Sequence, residues 1–203
     1  MQCHAIRDAP AACRLRQCLR ASMLAVTSLR FSSSCVSVGL YWKRGPMQRS
    51  GVALIPQRGI SMASYIRMAQ LAEEQGYDSL WGGESNGLEL FTFLGVLLSQ
   101  TRRLKVAPGI ASIFTRTPAL MAMSMATLHA IAPHRTLLGL GVSTRIIVGN
   151  WHGLTWDHPL ERTAEYVQLL RQGLRGERLM HQGTYYHSEH FRLGVEPPGD
   201  VPI

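Results

Sequence analysis

The chain has 203 residues, 46% apolar and 17% charged, with a formal net charge of +8, enough for one sizeable core. Residues 1–46 hold seven bases against one acid and carry +6, so residues 47–203 are nearly balanced at +2, which argues against nucleic acid as a partner. No apolar run approaches the roughly 18 residues of a membrane span; Ala21–Leu29 is too short and Arg30 ends it.

All four cysteines, Cys3, Cys13, Cys18 and Cys35, fall in the first 35 residues, so neither a disulfide framework nor a cysteine metal site is expected beyond them. The segment 1–46 is rich in Arg and Ser and poor in acids. That is the composition of a transit peptide, with a weaker secretory reading for Ala21–Leu29. The favoured reading is a frame opened early, with Met47 as the real start. Residues 1–46 are therefore set aside as an extension, and 47–203 are taken as the folded domain, with a cytoplasmic location.

From Met47 the elements follow one another closely. Gly51–Pro56 is a short continuous apolar run, the pattern of a strand buried on both faces. Ser61 can N-cap a helix to about Gln75, with Tyr65, Ile66, Ala69 and Ala72 on its apolar face and Gly76 as its stop. Tyr77–Trp81 is a second strand, ending in the glycine-rich loop Gly82–Gly87. Leu88–Gln100 is an apolar helix, and Leu104–Ile110 a third strand. Pro118 opens a further helix to Ala132, apolar almost all round, and Thr136–Gly141 is a fourth strand. That helix belongs first to the core, and its all-round apolarity also allows packing against a second subunit, as a homo-oligomer.

Val142–Gly153 reads as an irregular loop. Asp157 or His158 caps the next helix, in which Leu160, Ala164, Val167, Leu170 and Leu174 form a helical stripe ended by Gly176. His181–Tyr186 reads as a turn-and-strand excursion, and the proline-rich tail 196–203 as the approach to another strand. This βαβαβαβ order, with unalternating apolar strands, predicts a parallel α/β sheet. No Gly-x-Gly-x-x-Gly follows the first strand, which argues against a Rossmann dinucleotide site. Four β/α units ending in a linker suggest the N-terminal half of a TIM-type (β/α)8 barrel with part of an insertion. Its edges would lie open at Gly51–Pro56 and Thr136–Gly141.

Several stretches taken together resemble the bacterial-luciferase-like superfamily: Leu71–Ser85, Pro108–Pro118, Met125–Leu128, Arg135–Gly141, Asn150–Gly153 and Leu160–Arg171. The resemblance covers about residues 50–203 and is nearest to the deazaflavin-dependent, methylenetetrahydromethanopterin-reductase-like branch. It implies a TIM barrel binding FMN or the 5-deazaflavin coenzyme F420 at the strand C-termini. It also implies an oxidoreductase that transfers hydride to or from a small-molecule substrate, or monooxygenates one with O2, here as a truncated chain.

On this resemblance Gly109-Ile110 forms a non-prolyl cis peptide, or a bulge, supporting the coenzyme ring. A cis bond of that kind costs about 2.5–4 kcal/mol. Glu84, with Ser85 beside it, is the catalytic candidate, as ring polariser or proton relay; alternatively it caps the Leu88 helix. Ser112, Gly139, Gly141 and Ser143 complete the coenzyme set, the glycines equally serving as packing positions. Arg116 binds an acidic substrate or a phosphate, or forms a buried structural salt bridge; Trp151 and His152 form a substrate wall, or His152 is a packed loop residue. Many deazaflavin relatives keep a glutamate where this sequence has Val142-Ser143-Thr144, which weakens a sugar-phosphate dehydrogenase reading. No metal is expected; His187 and His190 lack a third ligand. The alternative to an enzyme is a non-catalytic half-barrel serving as an interaction module.

Overall fold

A computed structural model describes residues 50–203. The cysteines and the proposed start at Met47 lie outside the described residues.

Strand β1 (Gly51–Leu54) leads through a turn to helix α1 (Met62–Glu74), capped by the Ser61 side chain accepting from the Ser64 N–H. Strand β2 (Ser79–Gly82) precedes α2 (Leu90–Ser99), and β3 (Lys105–Pro108) is followed after a break by β4 (Ala111–Ser112). Helix α3 (Pro118–Ile131) is capped by Thr117, and a short strand β5 (Leu140–Gly141) completes the fourth unit. Strands β1, β2 and β3 pair in parallel in that order, and β4 pairs in parallel with β5.

The strands are shorter than expected, and β1 and β2 alternate, whereas β3 buries Val106, Ala107 and Pro108 in succession. In β1 and β2 only every second residue is buried: Val52, Leu54, Leu80 and Gly82. These face the helices, where Tyr65, Phe93, Leu94, Leu97 and Met121 close the core. The opposite face carries Gly51, Ala53, Ser79, Trp81 and Lys105 and lines a cavity of about 1160 Å³. Burial on both faces is therefore not what β1 and β2 show. Gly51, Ala53 and Ser79 on the inner face are small, which leaves that space, and Trp81 turns its indole N–H onto Ser79 Oγ at 2.9 Å.

Two polar devices fix the loops at the far end of the sheet. Glu73 of α1 accepts from three successive N–H groups, Arg102, Arg103 and Leu104. Burial opposes its ionisation, but those donors hold its carboxyl below the usual range. Arg135 donates to the carbonyls of Leu98, Thr101 and Leu104, supplying a cation to the C-terminal end of α2.

The break in the third strand is a β-bulge. Before it Val106 pairs with Thr136, and after it Ala111 pairs with Leu140, so the register slips by one residue. Gly139 donates to Pro108 O at 3.0 Å and accepts from Ala111 N at 2.8 Å, which leaves Gly109 and Ile110 together opposite Gly139 alone. A Cβ on Gly139 would collide with the carbonyl oxygens of Pro108 and Gly109. The peptides here are trans, like all others among the described residues, so the cis alternative for Gly109-Ile110 is not the one adopted.

Beyond β5, the expected loop contains a π-helical turn, Ile146–Trp151. Helix α4 (Pro159–Leu174) packs mainly on α3. Its buried face is Tyr166, Leu169, Leu170, Gly173 and Leu174. Leu160 is 79% exposed, and Ala164 is exposed too, so the upper part of the predicted stripe points to solvent. An antiparallel hairpin, β6 (Leu179–Gln182) and β7 (His187–Phe191), follows and is held by Glu165, which accepts from the N–H groups of Tyr185 and Tyr186. In the tail, Pro202 O accepts from Leu138 N at 2.9 Å, so the edge beyond the fourth unit is partly occupied.

Candidate active site

The C-terminal ends of the strands, where parallel α/β folds carry their sites, converge on one cavity of about 1380 Å³. The facing sides of α2, from Phe91 to Ser99, and α3, from Leu120 to Ile131, line part of it, and four loops line the end at the strands. The first follows β2, where Gly83 and Glu84 leave the sheet. The second is the bulge and the turn after β4. The third leaves β5 through Ser143, and the fourth is the π-helical turn.

The bulge sets the floor. Extruding one extra residue turns Ile110 out of the sheet, and the residue is 57% exposed. Space for it exists because Gly141 has no side chain; a Cβ there would collide with Ile110 Cγ2. Ser112 follows, 95% buried, its Oγ accepting from Phe114 N at 3.2 Å. On the neighbouring strand Ser143 has φ +56, a left-handed conformation that costs a non-glycine residue about 1–3 kcal/mol. It therefore holds its place on the cavity wall against a local cost.

The rim beside the floor is a charge cluster. Arg116 sits between Glu84, at 2.6 Å, and Glu89, at 2.5 Å, and its guanidinium lies 4.9 Å from the centre of the Phe91 ring. Only 11% of its side chain is exposed. Glu84 also accepts from Ser112 N at 3.4 Å, tying the second loop to the first. Glu89 is the N-cap of α2, accepting from Phe91 N and Thr92 N. Partial burial would raise its pKa. The Thr92 and Phe91 N–H groups and Arg116 more than reverse that and hold it at about 2.

Of the sequence-predicted residues, Glu84, Ser85, Ile110, Ser112, Arg116 and Gly141 line the cavity, together with Ser143 and His152. Gly109 and Gly139 stand behind the floor as backbone and do not line it. Trp151 is half-exposed and is not among the lining residues. Glu84 does not cap the second helix, because Glu89 does. Arg116 takes the salt-bridge alternative. Glu89 was missed; its only signal is a carboxylate placed just before Leu90, and glutamate is not a favoured N-cap. Trp156 was missed as well. It donates to Val142 O at 2.9 Å and stacks on Phe114 with centroids 6.2 Å apart, bracing the loop after β5.

His187 approaches Glu189 at 3.6 Å, and no group of three His, Cys, Asp or Glu side chains suited to a metal forms among the described residues. No helix among them is long and apolar enough to cross a membrane.

Parallel β/α units with a mixed polar and apolar cavity at the strand C-termini define an α/β protein of the TIM-barrel type, of which this chain carries part. The sequence model of the luciferase-like monooxygenase family matches residues 38–203, and the chain belongs to that family. It is 29% identical over 154 residues to the 5,10-methylenetetrahydromethanopterin reductase of Archaeoglobus fulgidus, covering 75% of this chain and 45% of that relative. Its fold is similar to an F420-dependent secondary alcohol dehydrogenase solved with an F420-acetone adduct (TM-score 0.66, 21% identity, 75% of this chain and 50% of that one). It is likewise similar to a riboflavin lyase solved with modified FMN and riboflavin (TM-score 0.67, 15% identity, 75% and 48%). The chain thus spans about half the length of the curated relative and solved structures it matches.

Proposed function

We propose that the cavity is one wall of the coenzyme and substrate site of an oxidoreductase using F420 or FMN on a small organic molecule. The observation that carries this reading is the bulge at Gly109-Ile110. It holds an exposed aliphatic side chain at the strand ends, and Gly141 opposite leaves room for it. An apolar platform flanked by backbone and by the small polar residues Ser112 and Ser143 suits the face and edge of a flat tricyclic ring. The residues present fit the ring. A phosphate arm is another matter, since the one Arg lining the cavity is already paired with two carboxylates.

In this reading Ile110 supports the ring from behind, with Gly139 and Gly141 shaping the floor. Ser112 and Ser143 border the ring edge. Glu84 and Ser85 stand at the mouth, where Glu84 is a positioned carboxylate able to accept a proton, and Arg116 holds it there. His152, with Trp151 farther out, borders the substrate side. The bound coenzyme supplies the hydride, or the electrons that reduce O2. F420 is favoured over FMN by the likeness of the Pro108–Pro118 run to the deazaflavin-dependent branch. A cytoplasmic location belongs to the same reading, and cell fractionation tests it.

Titrating the purified chain with oxidised and reduced F420 and FMN, followed by absorbance, tests the proposal. Saturable binding of one of them supports it. Binding of neither means that this chain does not act as the enzyme, and leaves the half-barrel as an interaction module, for which the open inner face at Trp81 and Lys105 is the supporting observation.

A further inference from the structure

Helix N-termini and arginine side chains are the groups of an α/β cavity suited to receive an anion. This wall contains two helix N-termini and one arginine, and donors of each are used internally. The N-terminus of α2 is taken by the Glu89 carboxylate, which accepts from Phe91 N at 3.1 Å and Thr92 N at 2.7 Å. At the N-terminus of α3, Pro118 brings no N–H, and the Thr117 side chain takes the Leu120 N–H at 3.2 Å. The Arg116 guanidinium is divided between Glu84 and Glu89 and backed by the Phe91 ring. The cluster Glu84–Arg116–Glu89 carries one net negative charge, and no Lys and no other Arg lines the cavity.

We propose that this cluster is a charge filter: Glu84 and Glu89 are specificity-determining residues that make this wall reject anions. The part of the substrate seated against the α2 and α3 N-termini is then uncharged or cationic, and phosphorylated or carboxylate-bearing groups are turned away from it. This rests on the reading of the cavity as the substrate site. It deepens that reading by naming the charge class of what the wall admits.

The test uses no coenzyme, so it answers even if the chain binds neither flavin nor deazaflavin. Inorganic phosphate and glucose 6-phosphate are titrated by equilibrium dialysis into the full chain, into Glu84→Gln/Glu89→Gln, and into the Arg116→Gln version of each. The quantity read is the Arg116-dependent part of binding, which removes any contribution from the basic segment 1–46. The wild-type chain is expected to show none. The double variant, with Arg116 released, is expected to bind both anions at least about ten-fold more tightly than its own Arg116→Gln version, equivalent to ~1.4 kcal/mol. Equal Arg116-dependent binding in wild type and double variant overturns the proposal, and so does the absence of any gain in the double variant. Should the double variant fail to fold by circular dichroism, Glu84→Gln alone keeps the Glu89 cap. It is expected to give a smaller gain of the same sign, and no gain there overturns the proposal as well.

Discussion

Ile110 and Glu89 show how far single positions in this chain are set by partners distant in sequence. Ile110 is exposed because Gly139, on another strand, leaves it no place in the ladder. Its truncation removes little packing from the fold but most of the platform. Ile110→Ala is expected to leave the melting temperature within a degree or two. It should weaken coenzyme binding by about 1–2 kcal/mol, roughly ten-fold, from the apolar area lost. Parallel thermal melts and coenzyme titrations check this, and a large loss of stability would show Ile110 to be a core residue instead. Glu89 is tied to Arg116 across 27 residues. Its pKa is depressed in the folded state, so its contribution is complete above the unfolded value near 4.5. It is lost as pH falls from there towards about 2. Acid unfolding of Glu89→Gln should therefore be less steep than that of wild type across that window. An unchanged slope would mean that the carboxylate is not held by these partners.

At the level of elements, helix boundaries were the most legible feature. Ser61, Gly76, Pro118 and Gly176 act through local chemistry, and the helices start or stop at them. Faces were less legible. The stripe through Leu160 and Ala164 counted only aliphatic residues, whereas α4 buries Tyr166 and Gly173. Tyr166 belongs inside because its hydroxyl reaches Thr117 O at 3.3 Å, and Gly173 because a side chain there would press on Ala122 of α3. Neither contact has a signature along the helix itself. Leu160→Ser is accordingly expected to change stability by less than about 0.5 kcal/mol, and Leu170→Ala to cost about 2–5 kcal/mol. Urea denaturation of the two variants distinguishes them, and a severe effect of Leu160→Ser would return that residue to the core.

Across the whole molecule, the order of β/α units and the position of the site at the strand C-termini could be read from hydrophobic runs and glycine-rich strand ends. The site's wiring could not, because it joins residues 27 and 32 apart, Arg116 to Glu89 and to Glu84, and depends on which loop folds over which. The inner face was misjudged for a related reason. Gly51, Ala53 and Trp81 look as buried as Val52 and Leu80 in a bare sequence, and only the sheet separates the two faces. The folded domain was placed at 47–203, whereas the family match begins at residue 38. A chain starting at Met47 is expected to melt at the same temperature as the full chain. A clear drop would place the boundary nearer residue 38.

The one-residue slip at Gly139 also makes this strand tolerant of an edit that strands normally refuse. Losing one residue inside a strand inverts every side chain beyond it, since the pleat repeats every two residues. Here Pro108 and Ala111 already hold Gly139 from both sides. Excising Ile110 would leave Gly109 alone opposite Gly139, and Ala111 and Ser112 would keep their partners Leu140 and Gly141. A chain shortened by that residue should fold with a smoother sheet and an emptier cavity floor, which separates what the protein needs to fold from what it needs to bind.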